Sequence, residues 1–153
     1  MEGYRHFLKI MNELQEELSD DNKVNEQEIE FFQNWLKKYY KKNCSEYIEF
    51  INTFNGLDFN GTIIYSLNGN CSYNIFKLNE TWWNEDEKLR EYIFFANDPV
   101  SLYGLNIKNE KYYVLSGVKH DLLEEYKTFY DLLIRVLEER WLIPKNMKNQ
   151  KKI

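Results

Sequence analysis

The chain has 153 residues, 43% hydrophobic and 29% charged, a composition that excludes a disordered protein and suits one domain with a single core. Its formal net charge of −5 argues against a general nucleic-acid-binding protein, which needs a basic face to displace counterions. The same acidity, with an aromatic share of 17%, is compatible with a basic protein partner, because Tyr and Trp often anchor protein interfaces.

The first segment predicts an amphipathic helix, because apolar residues recur at helical spacing between Tyr4 and Leu18. It lacks the apolar stretch and small-residue cleavage site of a signal peptide. No apolar run in the chain reaches the roughly 20 residues that span a bilayer. The two cysteines, Cys44 and Cys71, lie in different segments and are expected to be reduced thiols. We therefore expect a cytoplasmic protein that does not enter a membrane.

The next pattern predicts two helices, over residues 25–40 and 45–54. Asn25 with Glu28 forms a capping-box pattern at the start of the first of them. Ser45 is the expected N-cap of the second, and Gly56 is placed to end it in a left-handed conformation. The apolar face of this second helix would consist of Tyr47, Phe50, Ile51 and Phe54.

After Gly56 the pattern changes from helical to strand-like. Strands are predicted over 61–66, 92–96, 101–107 and 111–115, with a further candidate over 122–126. Turns are expected at Asn68–Gly69 and around 108–110, and a helix is inserted from Asn79 to Leu89. A last helix is predicted over 128–141, and Pro144 ends it.

This order of elements predicts an α+β fold, in which N-terminal and C-terminal helices pack on a mainly antiparallel sheet. Residues 1–144 would form the single domain, and residues 145–153 a basic, disordered tail. The residues predicted to be buried in the core are Phe50, Ile51, Phe54, Ile64, Phe94, Leu133 and Leu137.

The sequence contains no recognisable catalytic or metal-binding motif. No Cys or His lies at metal-ligand spacing, and the P-loop and nucleophile-elbow patterns are absent. The carboxylates at 85–87 and at 121, 124 and 125 are compatible with acid–base chemistry, but solvated turns and helix starts show the same clustering. Trp82–Trp83 is either a stacking platform for a ligand or one core ring beside one surface ring. We therefore predict no enzyme, no cofactor and no metal site.

The stretch SEYIEFINTFNGLDFNGTIIY, residues 45–65, resembles the SUKH superfamily (the Smi/Knr group), most closely its YrhA-like branch. The resemblance rests on order: a short aromatic helix ends at Asn55-Gly56, and a second glycine, Gly61, precedes a strand. The segments YIFFAND, SLYGLNIKNEKYYVLS and YKTFYDLLIRVLEE then follow in the family's order, so the similarity runs from about residue 29 to about residue 142.

The resemblance implies an α+β domain and, in bacteria, an immunity protein that binds and neutralises a cognate toxin, which is often a nuclease. It also implies that Asn55, Gly56 and Gly61 are structural turn residues. The partner would be a protein, with no direct contact to nucleic acid or membrane, and the chain would be a monomer or a weak homodimer. Two alternatives stay open: a non-catalytic scaffold or regulatory binding module, and a small-ligand sensor that uses the region of Trp82 and Trp83.

We expect inhibition by occlusion, in which an acidic surface covers a basic face of the toxin. Four lysines, at positions 145, 148, 151 and 152, follow Pro144 without any acidic residue, which leaves residues 1–144 with a charge of −9. Charges of this kind mainly raise the association rate, while a few desolvated aromatic residues carry most of the affinity. The candidate contacts, all near predicted turns or helix ends, are Asp58, Trp82, Trp83, Glu85, Asp86, Asp98 and Asp121.

Overall fold

A six-stranded antiparallel sheet, whose neighbouring strands follow chain order, forms the centre of the protein. The computed structural model describes residues 23–59 and 61–137, together with Arg5, Leu8, Lys9 and Asn12. The strands are β1 Leu57–Phe59, β2 Thr62–Ile64, β3 Tyr92–Asn97, β4 Ser101–Asn106, β5 Tyr112–Ser116 and β6 Leu122–Tyr126. The helices of the described residues are α1 Glu26–Leu36, α2 Ser45–Thr53, α3 Ile75–Glu85 and α4 Phe129–Leu137, with a 3₁₀ helix over Glu87–Glu91. The predicted α+β fold is confirmed.

Parts of the sequence-based prediction lie outside the described residues. They are most of the helix between Tyr4 and Leu18, of which only Arg5, Leu8, Lys9 and Asn12 are described, as helical, together with the last helix beyond Leu137 and the tail over 145–153. The domain boundary at residue 144 lies there too and stays a prediction. Among the helices that the structure describes, none combines the length and the apolarity needed to cross a membrane.

Helix α1 begins as predicted, with a capping box. The Asn25 side chain accepts a hydrogen bond from the Glu28 amide at 2.8 Å, and the Glu28 carboxylate accepts one from the Asn25 amide at 3.0 Å. The helix ends at Leu36, so the predicted range to residue 40 is too long. Helix α2 covers nearly the predicted range, but its cap residue is Cys44 in a left-handed conformation (φ 51°), because Ser45 is already helical.

Two elements differ more from the sequence-based expectation. Helix α3 begins at Ile75 rather than Asn79, because the Asn74 side chain caps it by accepting a hydrogen bond from the Lys77 amide at 2.8 Å. It ends at Glu85, and the rest of the predicted helix is the 3₁₀ turn. Strand β1 was not predicted, because three residues are too few for an alternating pattern and only pairing with β2 defines them.

Asn55 and Gly56 tie the start of β1 to the chain that leaves β2, and they do not end α2. The Asn55 side-chain oxygen accepts hydrogen bonds from the Ser66 hydroxyl at 3.1 Å and the Leu67 amide at 2.8 Å. Gly56 has a φ of 91°, and a Cβ atom there would lie 2.8 Å from the Ser66 Cβ, so both the conformation and the close approach require glycine. Gly61, at φ 83°, lies in the β1–β2 turn.

The core occupies both faces of the sheet. On one face, the Phe95 ring lies 4.7 Å from the Tyr47 ring of α2 and 5.5 Å from the Phe129 ring of α4. On the other face, Tyr92 stacks on Phe94 at 5.5 Å. All seven residues predicted to form the core are buried, which confirms the assigned helix and strand faces.

Asn79, which is fully buried in α3, completes the hydrogen bonding of β3 where β2 ends. Its oxygen accepts from the Phe94 amide at 2.7 Å, and its nitrogen donates to the Phe94 carbonyl at 2.9 Å and to the Ile75 carbonyl at 2.8 Å. The last β2–β3 pair is Ile64 with Ala96, so no strand lies there to bind Phe94. The side-chain amide therefore replaces one residue of a neighbouring strand.

Replacing Asn79 by Ala should lower the free energy of unfolding by about 3 kcal/mol, because the Phe94 amide and carbonyl would stay buried without partners. Urea denaturation of both proteins gives this value. Asn84→Ala, at an exposed position of the same helix, is the matched control and should change stability by no more than about 0.5 kcal/mol. A loss below about 1 kcal/mol for Asn79→Ala would show that water or a shifted backbone satisfies Phe94.

Candidate protein-binding face

A histidine–aspartate pair joins the end of α3 to the turn between β5 and β6. Asp86, which ends α3, accepts a hydrogen bond from the Lys88 amide at 3.1 Å and so caps the 3₁₀ helix. Its second oxygen lies 2.8 Å from Nδ1 of His120. His120 is buried and has a left-handed backbone with a φ of 62°. The pair therefore brings Asp86 and Asp121 to the same end of the molecule.

The pairing with Asp86 places a proton on Nδ1 of the His120 ring. The hydrogen bond from His120 is the main reason that the pKa of Asp86 lies below its ordinary value, so Asp86 is ionised and accepts. Nδ1 of His120 is therefore the donor in this hydrogen bond. Nε2 is buried, and no hydrogen-bond partner for it occurs among the described residues.

A cleft of about 290 Å³ opens beside this pair. It is lined by Lys88, Glu91, Tyr92, Leu115, His120, Asp121 and Leu122. The Lys88 ammonium donates to the Lys119 carbonyl at 3.3 Å, and Glu91 forms an exposed ion pair with Lys108 at 2.7 Å. The cleft thus combines an apolar wall with carboxylates at its edge.

A β-bulge exposes two leucines next to this cleft. Val114 pairs with Glu124 and Leu115 pairs with Leu122, so Leu123 is an extra residue in β6. Leu122 is 58% exposed and Leu123 is 54% exposed, although both lie in a strand. Val118, in the preceding turn, is 86% exposed. Neighbouring exposed apolar side chains of this kind often mark a protein interaction site.

The structure brings together three of the seven predicted contact residues. Glu85 and Asp86 end α3, and Asp121 follows His120, so all three lie around the histidine–aspartate pair. Asp58 is exposed but lies in β1, and five strand spacings separate that edge from β6 by roughly 24 Å. We name as the acidic face the residues Glu85, Asp86, Glu87, Glu91 and Asp121 with the exposed Leu122 and Leu123.

The remaining three predicted contacts have structural roles inside the protein. Trp83 is 6% exposed, stacks on Trp35 at 5.9 Å, and donates its indole N–H to the Tyr92 carbonyl. Trp82 is half-buried and donates to the Tyr65 hydroxyl at 2.9 Å. The buried Asp98 carboxylate accepts hydrogen bonds from the Val100 and Ser101 amides and from the Tyr103 hydroxyl. These side chains offer a partner little surface.

Sequence reasoning missed His120 and the two leucines. His120 had no local signal, because its partner lies 34 residues away in the chain. The leucines did have a local signal. Adjacent residues of a regular strand face opposite sides of the sheet, so the pair Leu122-Leu123, followed by two glutamates, indicates either a bulge or an exposed leucine.

The arrangement supplies hydrogen-bond acceptors and apolar contact area. A histidine oriented by a carboxylate also occurs in nucleophilic enzymes, where a hydroxyl or thiol lies beside the ring. No serine, threonine or cysteine is among the residues that line this cleft. The cleft geometry therefore favours binding of a donor-rich group.

Neither the family models nor the curated proteins compared with the chain give a match. The similarity to the SUKH superfamily therefore stays a prediction based on the order of the quoted segments.

Replacing Asp86 by Asn should lower the free energy of unfolding at neutral pH, because a neutral amide is a weaker partner for the His120 N–H. The pKa of Asp86 is lowered in the folded state, so its contribution is present above the unfolded-state pKa of about 4 and is lost as the pH falls through the folded-state value. Denaturant titrations from neutral pH to below about pH 4 should show the difference from wild type shrinking.

Glu85→Gln, at the exposed neighbouring position, is the control and should leave stability nearly unchanged at every pH. A difference between wild type and Asp86→Asn that is the same at all pH values would contradict the role given to the ionised carboxylate.

Proposed function

We propose that the protein is an immunity protein that binds a basic toxin and blocks the toxin's substrate-binding surface with the acidic face. One observation carries this proposal: carboxylates of the segment 85–91, interspersed with Lys88 and Arg90, and Asp121 lie around a cleft that the exposed Leu122 lines, in a chain whose first 144 residues carry a charge of −9. The resemblance to the SUKH superfamily supports a toxin as the class of partner. Such a protein would act in the cytoplasm, where a nuclease toxin meets its substrate.

The proposed mechanism is occlusion and needs no reaction. A nuclease presents Lys and Arg to the phosphates of its substrate. Carboxylates of the acidic face would attract the same basic surface and raise the association rate. Leu122 and Leu123 would then be desolvated at the centre of the contact and slow its dissociation. While the complex lasts, nucleic acid is excluded from the toxin.

The two alternative functions have less support. The ligand-sensor hypothesis depended on Trp82 and Trp83 as a stacking platform, and both indoles have partners inside the protein. A scaffold or regulatory module would use the same acidic face for a partner that is not a toxin. Co-purification with the product of the adjacent gene, followed by a toxicity assay of that product, distinguishes a scaffold from an immunity protein.

Association with the cognate toxin should slow steeply as the salt concentration rises from about 0.01 M to about 0.15 M, because salt screens charges that are not yet in contact. The double variant Glu85→Lys/Glu87→Lys should associate at least about tenfold more slowly than wild type at low salt. Both side chains are exposed, and neither belongs to the pair of Asp86 and His120, so the fold should be retained. Stopped-flow fluorescence at several salt concentrations measures these rates.

Asp58→Lys, at the opposite edge of the sheet, is the control for position: it changes the net charge by +2, against +4 for the double variant, and should change the rate only slightly. An association rate that does not depend on salt, or one that falls equally for Asp58→Lys and for the double variant, would refute the acidic-face mechanism. Failure of the chain to protect cells from the product of any neighbouring gene would refute the immunity assignment itself.

A further inference from the structure

We propose that the cleft beside His120 receives one arginine side chain of the partner protein. This inference rests on the proposed function and makes it more specific, because it names the group that the acidic face recognises. The cleft volume of about 290 Å³ is near the lower limit of small-molecule pockets, roughly 300–1,000 Å³. A space of this size suits one long side chain better than a nucleotide or a cofactor.

The carboxylates at the cleft are acceptors that remain available to a partner. The Asp121 carboxylate is exposed and forms no hydrogen bond or ion pair with the described part of the chain. Nε2 of His120 is buried and has no hydrogen-bond partner there, so it is an unsatisfied polar atom in the cleft wall. Glu91 is held only by its exposed ion pair with Lys108, a type of contact that exchanges readily with solvent and with other cations.

Among the described residues that line the cleft, Lys88 is the one lysine or arginine, and its ammonium group is directed to the Lys119 carbonyl at 3.3 Å. A ligand that fits must therefore bring several donors and a positive charge. The backbone of a partner brings single N–H groups, whereas a guanidinium brings five N–H donors in one plane.

The apolar part of the cleft favours arginine over lysine. Leu122 is 58% exposed at the cleft and can cover a methylene stem, whereas Tyr92 and Leu115 lie almost fully buried behind it. A guanidinium is planar and weakly hydrated, whereas an ammonium keeps a tight hydration shell. The carboxylate acceptors lie on separate residues, Glu91 and Asp121, which also match a forked donor better than a point charge.

The surroundings of the cleft fit an interface whose main anchor is arginine. Arginine is enriched among the residues that dominate binding energy, and such residues are usually ringed by contacts that exclude water. Leu123 and Val118 are exposed beside the cleft and would supply that ring. An arginine is also what a nuclease exposes at its phosphate-binding site, so its capture would block substrate directly.

A titration with a small probe tests this inference without the toxin. N-acetyl-arginine methylamide is added to the ¹⁵N-labelled full chain, and amide shifts are followed by NMR. We expect saturable shifts confined to the amides around Glu91, Leu115 and Asp121. The citrulline analogue has nearly the same shape but no charge, and should bind at least about tenfold more weakly. The lysine analogue should bind several-fold more weakly than the arginine probe.

Two variants locate the binding. Asp121→Asn removes the exposed carboxylate and should weaken the arginine probe at least about fivefold. Asp58→Asn removes an equally exposed carboxylate at the other edge of the sheet and should leave the affinity unchanged. Leu122→Ala shortens the apolar wall and should weaken the probe by a smaller factor.

Three results would overturn the inference: no saturable shift up to the solubility of the probe, equal binding of the citrulline analogue, or unchanged affinity in Asp121→Asn. None of these depends on a toxin, so each would leave the immunity proposal to its own test. Conversely, a chain that binds the arginine probe as expected but protects no cell would retain an arginine-binding cleft without the proposed function.

Discussion

The fold depends on one buried amide. Strand β2 is three residues long and leaves β3 after Ala96, so the backbone of Phe94 needs another partner. The Asn79 side chain supplies both a donor and an acceptor at that point. It therefore attaches α3 to β3 through the same pair of backbone hydrogen bonds that a neighbouring strand would form. A fully apolar helix could bury the same area, but it would leave two backbone groups unpaired.

The position of the acidic face follows from this attachment. Asn79 attaches α3 to β3, and the Trp83 indole, which donates to the Tyr92 carbonyl, holds the last turn of the helix against the same strand. Asp86 is the residue at that end, and it is therefore in place to meet His120 from the far hairpin. Asn55 and Gly56 have a similar role after β2. The Asn55 side chain accepts a hydrogen bond from the Leu67 amide, and Gly56 allows Ser66 to approach closely, so the chain is held where it leaves β2. The residues of the acidic face are thus positioned by elements that buried side-chain amides hold in place.

Local patterns predicted the elements whose burial is regular. Helices α2 and α4 bury one face at helical spacing, and strands β3 to β5 are mostly apolar and aromatic runs, so both patterns are visible locally. The helix predicted from Asn79 begins four residues earlier, and nothing local distinguishes an asparagine at a helix start from one that is a buried bridge. Asp98 and Asp121 each lie next to a predicted strand. The Asp98 carboxylate accepts hydrogen bonds within its own turn, whereas Asp121 is exposed. Only the tertiary structure separates them.

The extra residue in β6 lies where the sequence can change during evolution with little effect on stability. Leu123 is inserted at the free edge of the sheet, where the pairing of β5 with β4 is already complete. Side chains at this bulge can be exchanged without disturbing the buried amides that hold the frame, so most substitutions there would be nearly neutral for stability. Selection can therefore act on the surface of β6 while the interior stays the same.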